Sequence, residues 1–454
     1  MILWTVVAFG ALILLHLLEP NLPIAWSYAG LRLRWGSVVP GVAVVVATAL
    51  LVGAAWSHPL ARRPFPRPRP ATLIVGMLLL WLVLALVGLR WPSPDVCPDA
   101  LFLPNRLRNS GAGNGRYLLL VPLLQMVFAP LRGIASPETV LRVTNALFSS
   151  LSMLVTLAIA TRLGRSIREV VAVLLLVWTG FGSLQLSLGY VDVYPIVQLL
   201  MALYVWTAMR YLDGDGGPVW PVVLAVLGPC FYIGLILVGP SLLVLVLCAW
   251  QRGQLVRLAG AVGVAILVAG LATVPAFGVP FALRAWSERL ASASWRGLNP
   301  DGQTLPLGYI LSLRHAGEVL STLVLLDGVG LVLVATLSPR SLRAALLWCI
   351  LGSGFAFVVA MDPVWGPYSD WDLFSYLTLP LGVAAGLAFV SWSRSRPALA
   401  GAVLALAVAT SAVHLMARVN GLHLDFERHI AASPYHLPDV PNGIFKPRTR
   451  WKAW

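Results

Sequence analysis

The residues most able to do chemistry are two carboxylates in a polar loop that follows an apolar segment. The loop, Pro94–Arg116, interrupts an otherwise apolar chain and carries Asp95 and Asp99. A carboxylate in this position can be a general base, a metal ligand or a solvated loop residue. Asp99 begins the apolar run 100–103, which would hold it at a membrane surface, whereas the prolines beside Asp95 indicate a turn. Asp99 is therefore the candidate base.

A second candidate is the turn GYVDVYP over Gly189–Pro195, between two apolar segments. Its acid, Asp192, is flanked by Tyr190 and Tyr194. An ionised group in a membrane costs about 2.5–3.5 kcal/mol at mid-depth and less at the interface. A functional role would explain Asp192, and a turn that it caps, followed by Pro195 in the next helix, is the alternative.

A third candidate is Met361–Asp372, which holds three acids, two tryptophans and a tyrosine in twelve residues. Asp370 and Asp372 could cap the helix that follows. They could also bind sugar hydroxyls, with Trp365 and Trp371 offering flat apolar faces to the ring. Tryptophan is common at membrane interfaces in any case. Only the combination of tryptophans with acids therefore points to sugar binding.

Arginines also occur on the face that the topology below places outside. Arg142 stands near the start of the fourth apolar run, and the loop 279–317 ends with Arg314 and His315. Outer arginines run against the positive-inside rule. Binding of an anionic phosphate would explain them, since guanidinium matches phosphate geometry, and contact with lipid headgroups is the alternative. Asp327, inside an apolar run, is either a buried contact between helices or a proton-relay residue.

The composition sets the class of protein in which these residues act. The 454 residues are 59% hydrophobic and 11% charged, with a mean hydropathy of +0.84. This composition indicates a polytopic membrane protein. The net charge of +14 comes almost entirely from arginines in short clusters between apolar runs, a pattern typical of membrane orientation. Nucleic acid is therefore not an expected partner. The four cysteines form no disulfide framework or metal-type spacing.

Apolar runs long enough for a spanning helix of roughly 20 residues recur along the whole chain. They lie near 1–18, 37–57, 71–90, 141–161, 169–188, 194–212, 217–233, 231–250, 258–278, 318–337, 341–361, 373–392 and 397–416. The predicted fold is all-α, with about 13 transmembrane helices.

The arginine clusters orient these helices. Clusters between runs, from Arg62–Arg69 to Arg394–Arg396, mark cytoplasmic linkers. This assignment requires 117–131 to lie in the membrane plane and 217–250 to form two helices. The N-terminus is then inside, and the outer face holds the polar loop with Asp95 and Asp99.

The predicted regions follow from this topology. They are 1–70 with accessory helices, 71–250 as a core with the outer loop 91–140, 251–416 as a variable helical module with outer loops 279–317 and 362–372, and 417–454 as a short outer tail. The sequence contains no Walker loop, Gly-x-Ser-x-Gly, HExxH or CxxC motif, and no convincing inverted repeat of the kind that transporters often show.

These stretches together resemble the GT-C superfamily of polytopic glycosyltransferases, in a poorly characterised bacterial branch. The resemblance rests on Asp99 in the first large outer loop, the in-plane segment 117–131, the helix opening RVTNALF from Arg142, the turn Gly189–Tyr194 and DWDLF from Asp370. It covers residues 71–212, and 362–376 by motif.

The resemblance implies an inverting transfer of a sugar from a polyprenyl-phosphate donor. The acceptor would be a glycan, lipid or protein, at the outer face of the cytoplasmic membrane. Asp99 would be the base, and Asp192 with Tyr190 and Tyr194 would position the acceptor. The implied sugar contacts are Asp370, Trp371, Asp372 and Trp365, and the implied donor-phosphate contacts are Arg314, His315 and Arg142.

Whether a divalent cation, Mg²⁺ or Mn²⁺, takes part is open, with Asp99 and Asp192 as its ligands if it does. Two other classes of protein remain as alternatives. One is a transporter or flippase for a lipid-linked or anionic substrate, which would use Asp327. The other is an assembly subunit without chemistry.

Overall fold

The described part of the chain is a bundle of helices. The structure, a computed structural model, describes residues 46–47, 50–66, 69–90, 103–104, 107, 119–187, 193–277, 310–360, 371–397 and 399–410. Over these residues the regular structure is helical, apart from an isolated bridge between Pro64 and Ser166. The predicted all-α class is confirmed.

The helices follow the predicted apolar runs. In chain order they are α1 Pro70–Arg90, α2 Leu120–Phe128, α3 Pro137–Leu163, α4 Ile167–Trp178, α5 Phe181–Ser187, α6 Tyr194–Asp213, α7 Val219–Phe231, α8 Leu242–Gln251, α9 Leu255–Phe277, α10 Leu313–Val334, α11 Leu342–Ala360, α12 Thr378–Ser393 and α13 Leu399–Thr410. Among the described residues, helical backbone also covers 50–57, and 3-10 helices lie at Pro59–Arg62, Ala129–Leu131, Ile233–Ser241 and Trp371–Leu377.

Membrane-spanning length is present in many of these helices. Among the described residues, seven helices are long and apolar enough to cross a membrane, or eight if a bent pair in α10 counts as one. The count of about 13 and the four predicted regions stay predictions, because several of the runs lie outside the described residues.

Burial separates a central layer from a peripheral one. The span ending in α12 is 89% buried, whereas α1 is 17% buried and exposes its leucines. Helix α12 lies against α4 at Gly382, where an added Cβ would come within 2.6 Å of the Val177 Cα. Small residues allow such close backbone approach in membrane bundles. Helix α1 packs on α3, where Trp81 Nε1 donates to the carbonyl oxygen of Val143 at 3.1 Å.

Arginines from distant parts of the chain meet at one end of the bundle. Asp213, at the end of α6, pairs with Arg162 at 2.8 Å and with Arg343 at 2.7 Å. Arg394, after α12, pairs with Glu169 in the first turn of α4 at 3.2 Å. These arginines belong to three clusters that the orientation rule assigns to one side. We call this part of the bundle the arginine end.

The stretch 217–250 forms two helices, as predicted. Helix α7 ends at Phe231, Tyr232 is extended, and the chain returns through Ile233–Ser241 and α8. Arg252, just after α8, donates to the carbonyl oxygens of Tyr211 and Leu212 at 2.6 Å each. Because those residues end α6, both flanks of the α7–α8 pair lie at the arginine end.

Two helices are broken where the sequence predicts continuous ones. The run 169–188 is divided into α4 and α5 at Thr179–Gly180. Helix α10 bends by 94° between its halves, and Asp327 has a non-helical backbone at the break. Asp327 Oδ1 accepts a hydrogen bond from the Gly330 N–H at 2.7 Å. This side chain competes for a donor that would otherwise continue the helix.

Candidate functional site

The two described residues that flank the loop 91–118, Arg90 and Leu119, lie at the end of the bundle opposite the arginines. Pro64, just before α1, forms a bridge with Ser166, just after α3, and Trp81 of α1 contacts Val143 of α3. Helix α1 therefore runs antiparallel to α3, and Arg90 at its end lies near the start of α3. After the loop, the Leu119 N–H donates to the carbonyl oxygen of Cys230 at 2.9 Å. Cys230 lies near the end of α7, away from the arginine end. Both flanks of the loop that carries Asp99 therefore meet this opposite end.

The segment after the loop is a short helix with one buried face. Helix α2 with the 3-10 turn Ala129–Leu131 spans twelve residues, too few to cross a bilayer. Leu120 and Leu124 are buried, whereas Met126 is exposed. Its two flanks, at Leu119 and at the start of α3, both lie opposite the arginine end. The geometry agrees with the predicted in-plane segment.

Three buried tyrosines join two of the predicted acidic stretches. The ring centroids of Tyr194 and Tyr232 are 5.3 Å apart, and those of Tyr232 and Tyr376 are 6.0 Å apart, both in edge-to-face arrangement. Tyr194 follows Asp192 by two residues, and Tyr376 follows Asp372 by four. We call this part of the bundle the tyrosine end. Cys230 lies two residues from Tyr232, so the flanks of all three stretches converge there.

A buried polar network joins α5, α6 and the start of α12 next to the tyrosine end. Gln198 Nε2 in α6 donates to Ser183 Oγ in α5 at 2.8 Å. Ser183 Oγ lies 2.9 Å from Thr378 Oγ1 at the start of α12, and that hydroxyl also bonds the Ser375 carbonyl oxygen at 2.6 Å. The network fixes the elements that carry the second and third acidic stretches.

This network was not predicted from the sequence. Its detectable signal is a glutamine inside an apolar helix, because such side chains usually bond to a neighbouring helix. Two fully buried polar atoms nearby, Gln198 Oε1 and the Tyr376 hydroxyl oxygen, have no hydrogen-bond partner among the described residues. A bound water or a ligand hydroxyl could satisfy either of them.

His315 connects α10 to the end of α11. Its ring is buried, and its Nε2 donates to the carbonyl oxygen of Val359 at 2.7 Å. The Ser312 hydroxyl caps the same helix by accepting from the His315 backbone N–H at 3.1 Å. Val359 lies two residues before Met361–Asp372. The predicted donor-phosphate residue therefore lies beside the third acidic stretch.

The remaining predicted residues fall into two groups. Arg142 is half-buried in the second turn of α3, Arg314 lies in the first turn of α10, and Trp371 and Asp372 begin the 3-10 helix Trp371–Leu377. The others lie outside the described residues: Asp99, Tyr190, Asp192, Trp365 and Asp370. Within the described ranges, no group of three His, Cys, Asp or Glu comes together, and both candidate metal ligands lie outside these ranges.

Asp327 is buried where the two broken helices touch. Its side chain is 3% exposed, and Oδ2 has no hydrogen-bond partner among the described residues. An added Cβ on Gly180, at the α4–α5 break, would lie 3.3 Å from the Asp327 Cγ. Glycine at this position lets the carboxyl group approach the backbone. The sequence leaves two roles open for Asp327, a buried contact between helices and a proton relay. The described contacts are those of a buried contact between helices.

Comparison with known proteins gives a distant structural likeness. No family model and no curated protein matches the sequence. The chain is similar to the crystal structure of ArnT from Cupriavidus metallidurans bound to undecaprenyl phosphate, with 14% identity and a TM-score of 0.49 over 84% of this chain and 77% of that one. It is also similar to ArnT from the same organism in the apo state, with 13% identity and a TM-score of 0.47 over 85% and 78% of the two chains.

Proposed function

We propose that the protein is a membrane glycosyltransferase of the GT-C type that acts at the tyrosine end. The observation that carries the proposal is the convergence on Tyr232 of the flanks of three acidic stretches. Leu119, Tyr194 and Tyr376 come from separate parts of the chain and meet there. A site for group transfer needs such convergence, because base, acceptor and donor must be held within bonding distance.

In the proposed reaction, an acceptor hydroxyl attacks the anomeric carbon of a polyprenyl-phosphate sugar. The new carbon–oxygen bond forms as the bond from that carbon to the phosphate oxygen breaks, with inversion. Polyprenyl phosphate leaves, and the acceptor proton passes to Asp99. A positioned base of this kind is worth about 100- to 10,000-fold in rate.

The other residues hold the two substrates. Asp192, with Tyr190 and Tyr194, positions the acceptor. The sugar contacts are assigned to Trp365, Asp370, Trp371 and Asp372. The leaving phosphate is held by Arg142, Arg314 and His315, since cations stabilise the charge that develops on it. Because the His315 ring is buried and bonded to Val359, we assign it an indirect contribution to phosphate binding, in which it fixes the position of the end of α11.

The membrane setting fits both substrates. The apolar helices provide the surface along which a polyprenyl chain can lie, and the orientation rule puts the tyrosine end on the side away from the cytoplasm. The acceptor class, a glycan, lipid or protein, follows from the sequence resemblance, as does the place of the reaction at the outer face of the cytoplasmic membrane. A requirement for Mg²⁺ or Mn²⁺ is tested by assaying with and without a chelator.

The first test compares the two acids of the outer loop. Purified protein in lipid nanodiscs is supplied with a panel of polyprenyl-phosphate sugars and with membrane extract as a source of acceptors. Mass spectrometry follows the release of polyprenyl phosphate. We expect Asp99→Asn to lower turnover by about 100-fold or more, because it removes the base.

The matched control is Asp95→Asn, four residues away in the same loop. It should change turnover only severalfold, because Asp95 is assigned to a turn. Both variants should keep the wild-type thermal unfolding midpoint. Near-normal turnover by Asp99→Asn, or an equal loss of turnover in both variants, would contradict the assignment of Asp99 as the base.

A second candidate function is transport or flipping of a lipid-linked substrate. It is favoured by the buried Asp327 at the contact between two broken helices, an arrangement that transporters use near mid-membrane. Movement of a labelled lipid-linked sugar across proteoliposome membranes without any covalent product would favour it over glycosyl transfer.

A further inference from the structure

A separate surface at the arginine end brings four arginines together. The backbone of Arg63 accepts a hydrogen bond from the Ile167 N–H at 3.0 Å, and Pro64 forms a bridge with Ser166. This pairing joins the segment before α1 to the turn between α3 and α4. Four arginines lie within a few residues of the pairing. They are Arg62, Arg63, Arg165 and Arg168, and we call them the bridge arginines.

Within the described residues, carboxylates neutralise the bridge arginines only in part, through the charge attraction between Arg168 and Glu169. Glu169, the acid nearest to them in sequence, uses its two oxygens for Arg394 and for the backbone N–H of Arg165. No ion pair joins a bridge arginine to an acid within the described residues. The local excess of positive charge therefore favours an anion.

One of the four side chains is already positioned. The Arg168 guanidinium lies over the Trp56 ring, 5.0 Å from its centroid, and its buried Nε has no hydrogen-bond partner among the described residues. Trp56 is held by its own bond from Nε1 to the carbonyl oxygen of Pro397 at 2.8 Å. Arg62, Arg63 and Arg165 are exposed. A fixed guanidinium beside exposed ones suits a phosphate group, which accepts several N–H bonds.

Exposed leucines lie near the bridge arginines. Leu50 and Leu51 are 68% and 71% exposed in the helical stretch just before Trp56, and Leu60 is also exposed. Such a surface fits acyl chains, whereas a free phosphate ion would gain nothing from it. The juxtaposition of cations and exposed leucines at a helix end points to an amphiphilic anion.

We propose that the bridge arginines bind the headgroup phosphate of an anionic phospholipid, with its acyl chains against the leucines before Trp56. The bound lipid holds the segment before α1 against the α3–α4 turn. This site lies at the opposite end of the bundle from the proposed transfer site and is independent of that function.

The test measures lipid binding with matched variants of equal charge. Full-length protein in mild detergent is titrated with phosphatidylglycerol, phosphatidylcholine or inorganic phosphate. Bound lipid is counted by native mass spectrometry, and the unfolding midpoint is recorded. The cluster variant is Arg63→Gln with Arg165→Gln. The control is Arg257→Gln with Arg340→Gln, two exposed arginines at the same end outside the cluster.

We expect phosphatidylglycerol to bind the wild type and the control with similar affinity and to raise their unfolding midpoints. The cluster variant should bind it about tenfold more weakly, since two cations near an anionic headgroup are lost. Phosphatidylcholine and inorganic phosphate should have little effect. Equal binding by the cluster variant and the control would overturn the proposal, as would an equal response to inorganic phosphate, which would indicate a simple anion site.

Discussion

At the scale of single residues, Tyr232 connects the parts of the proposed site. Its ring contacts Tyr194 on one side and Tyr376 on the other, and each edge-to-face contact is worth about 0.5–1.5 kcal/mol beyond area burial. All three side chains are buried. The ring therefore sets the spacing between the start of α6 and the 3-10 helix before α12, and with it the spacing of two acidic stretches.

Truncation of this ring should affect turnover as well as stability. Tyr232→Ala is expected to destabilise the protein by about 3–5 kcal/mol. It should also lower turnover per folded molecule by about 100-fold, because a shift of about 1 Å in a reacting group has that effect. Thermal unfolding in nanodiscs and the polyprenyl-phosphate release assay measure the two quantities. Tyr232→Phe keeps both ring contacts and should stay active.

The control is Tyr211→Ala, a fully buried tyrosine near the arginine end. It should lower the unfolding midpoint and leave turnover per folded molecule near the wild-type value. If both alanine variants keep wild-type turnover, the tyrosine end has no part in positioning the substrates.

At the scale of elements, the contact between α4 and α12 fixes the core of the bundle. Gly382→Ala would place a methyl group 2.6 Å from the Val177 Cα and 2.9 Å from the Leu176 carbonyl oxygen. Backbone atoms cannot move aside as side chains do, so we expect the free energy of unfolding to fall by about 1–3 kcal/mol.

The control is the same change at Gly263 in α9, where an added Cβ meets nothing within 4 Å. It should be neutral or slightly stabilising, since alanine favours helix over glycine by about 1 kcal/mol. Unfolding midpoints of the two variants check this, and equal midpoints would contradict the assigned packing.

The elements also show what a sequence can and cannot predict. The two-helix division of 217–250 followed from charge, because both flanks carry arginines. The helix breaks at Gly180 and Asp327 could not be predicted in this way, because each depends on a contact with a residue distant in sequence. Tyr232 and Tyr376 were missed because an aromatic residue in an apolar run is indistinguishable from ordinary core. The acids Asp99 and Asp192 stay predictions.

At the scale of the whole molecule, the two ends differ in chemistry. At the arginine end, ion pairs join the termini of several helices. At the tyrosine end, the residues that flank the polar loops lie close together. Asp213 is central to the first, because it joins Arg162 and Arg343. Its side chain is 15% exposed, whereas that of Asp215, which also pairs with Arg162, is 59% exposed.

This division predicts that changes at the arginine end alter stability and spare turnover. Asp213→Asn should lower stability by about 1–2 kcal/mol, between the values for exposed and buried pairs. Asp215→Asn should have less effect, because solvent screens its pair. Turnover per folded molecule should match the wild type in both. A loss of turnover without loss of stability in Asp213→Asn would contradict this division.

In the proposed reaction, a lipid-linked sugar reacts at the tyrosine end. The most direct measurement is an electron cryo-microscopy structure of the protein in nanodiscs with a polyprenyl-phosphate sugar and with the Asp99→Asn change to prevent turnover. We expect density for a phosphate-headed isoprenoid at the tyrosine end, with position 99, Asp192 and Asp370 facing the sugar across one cavity. Density for the phosphate at the arginine end, with the tyrosine end closed and the three positions apart, would contradict it.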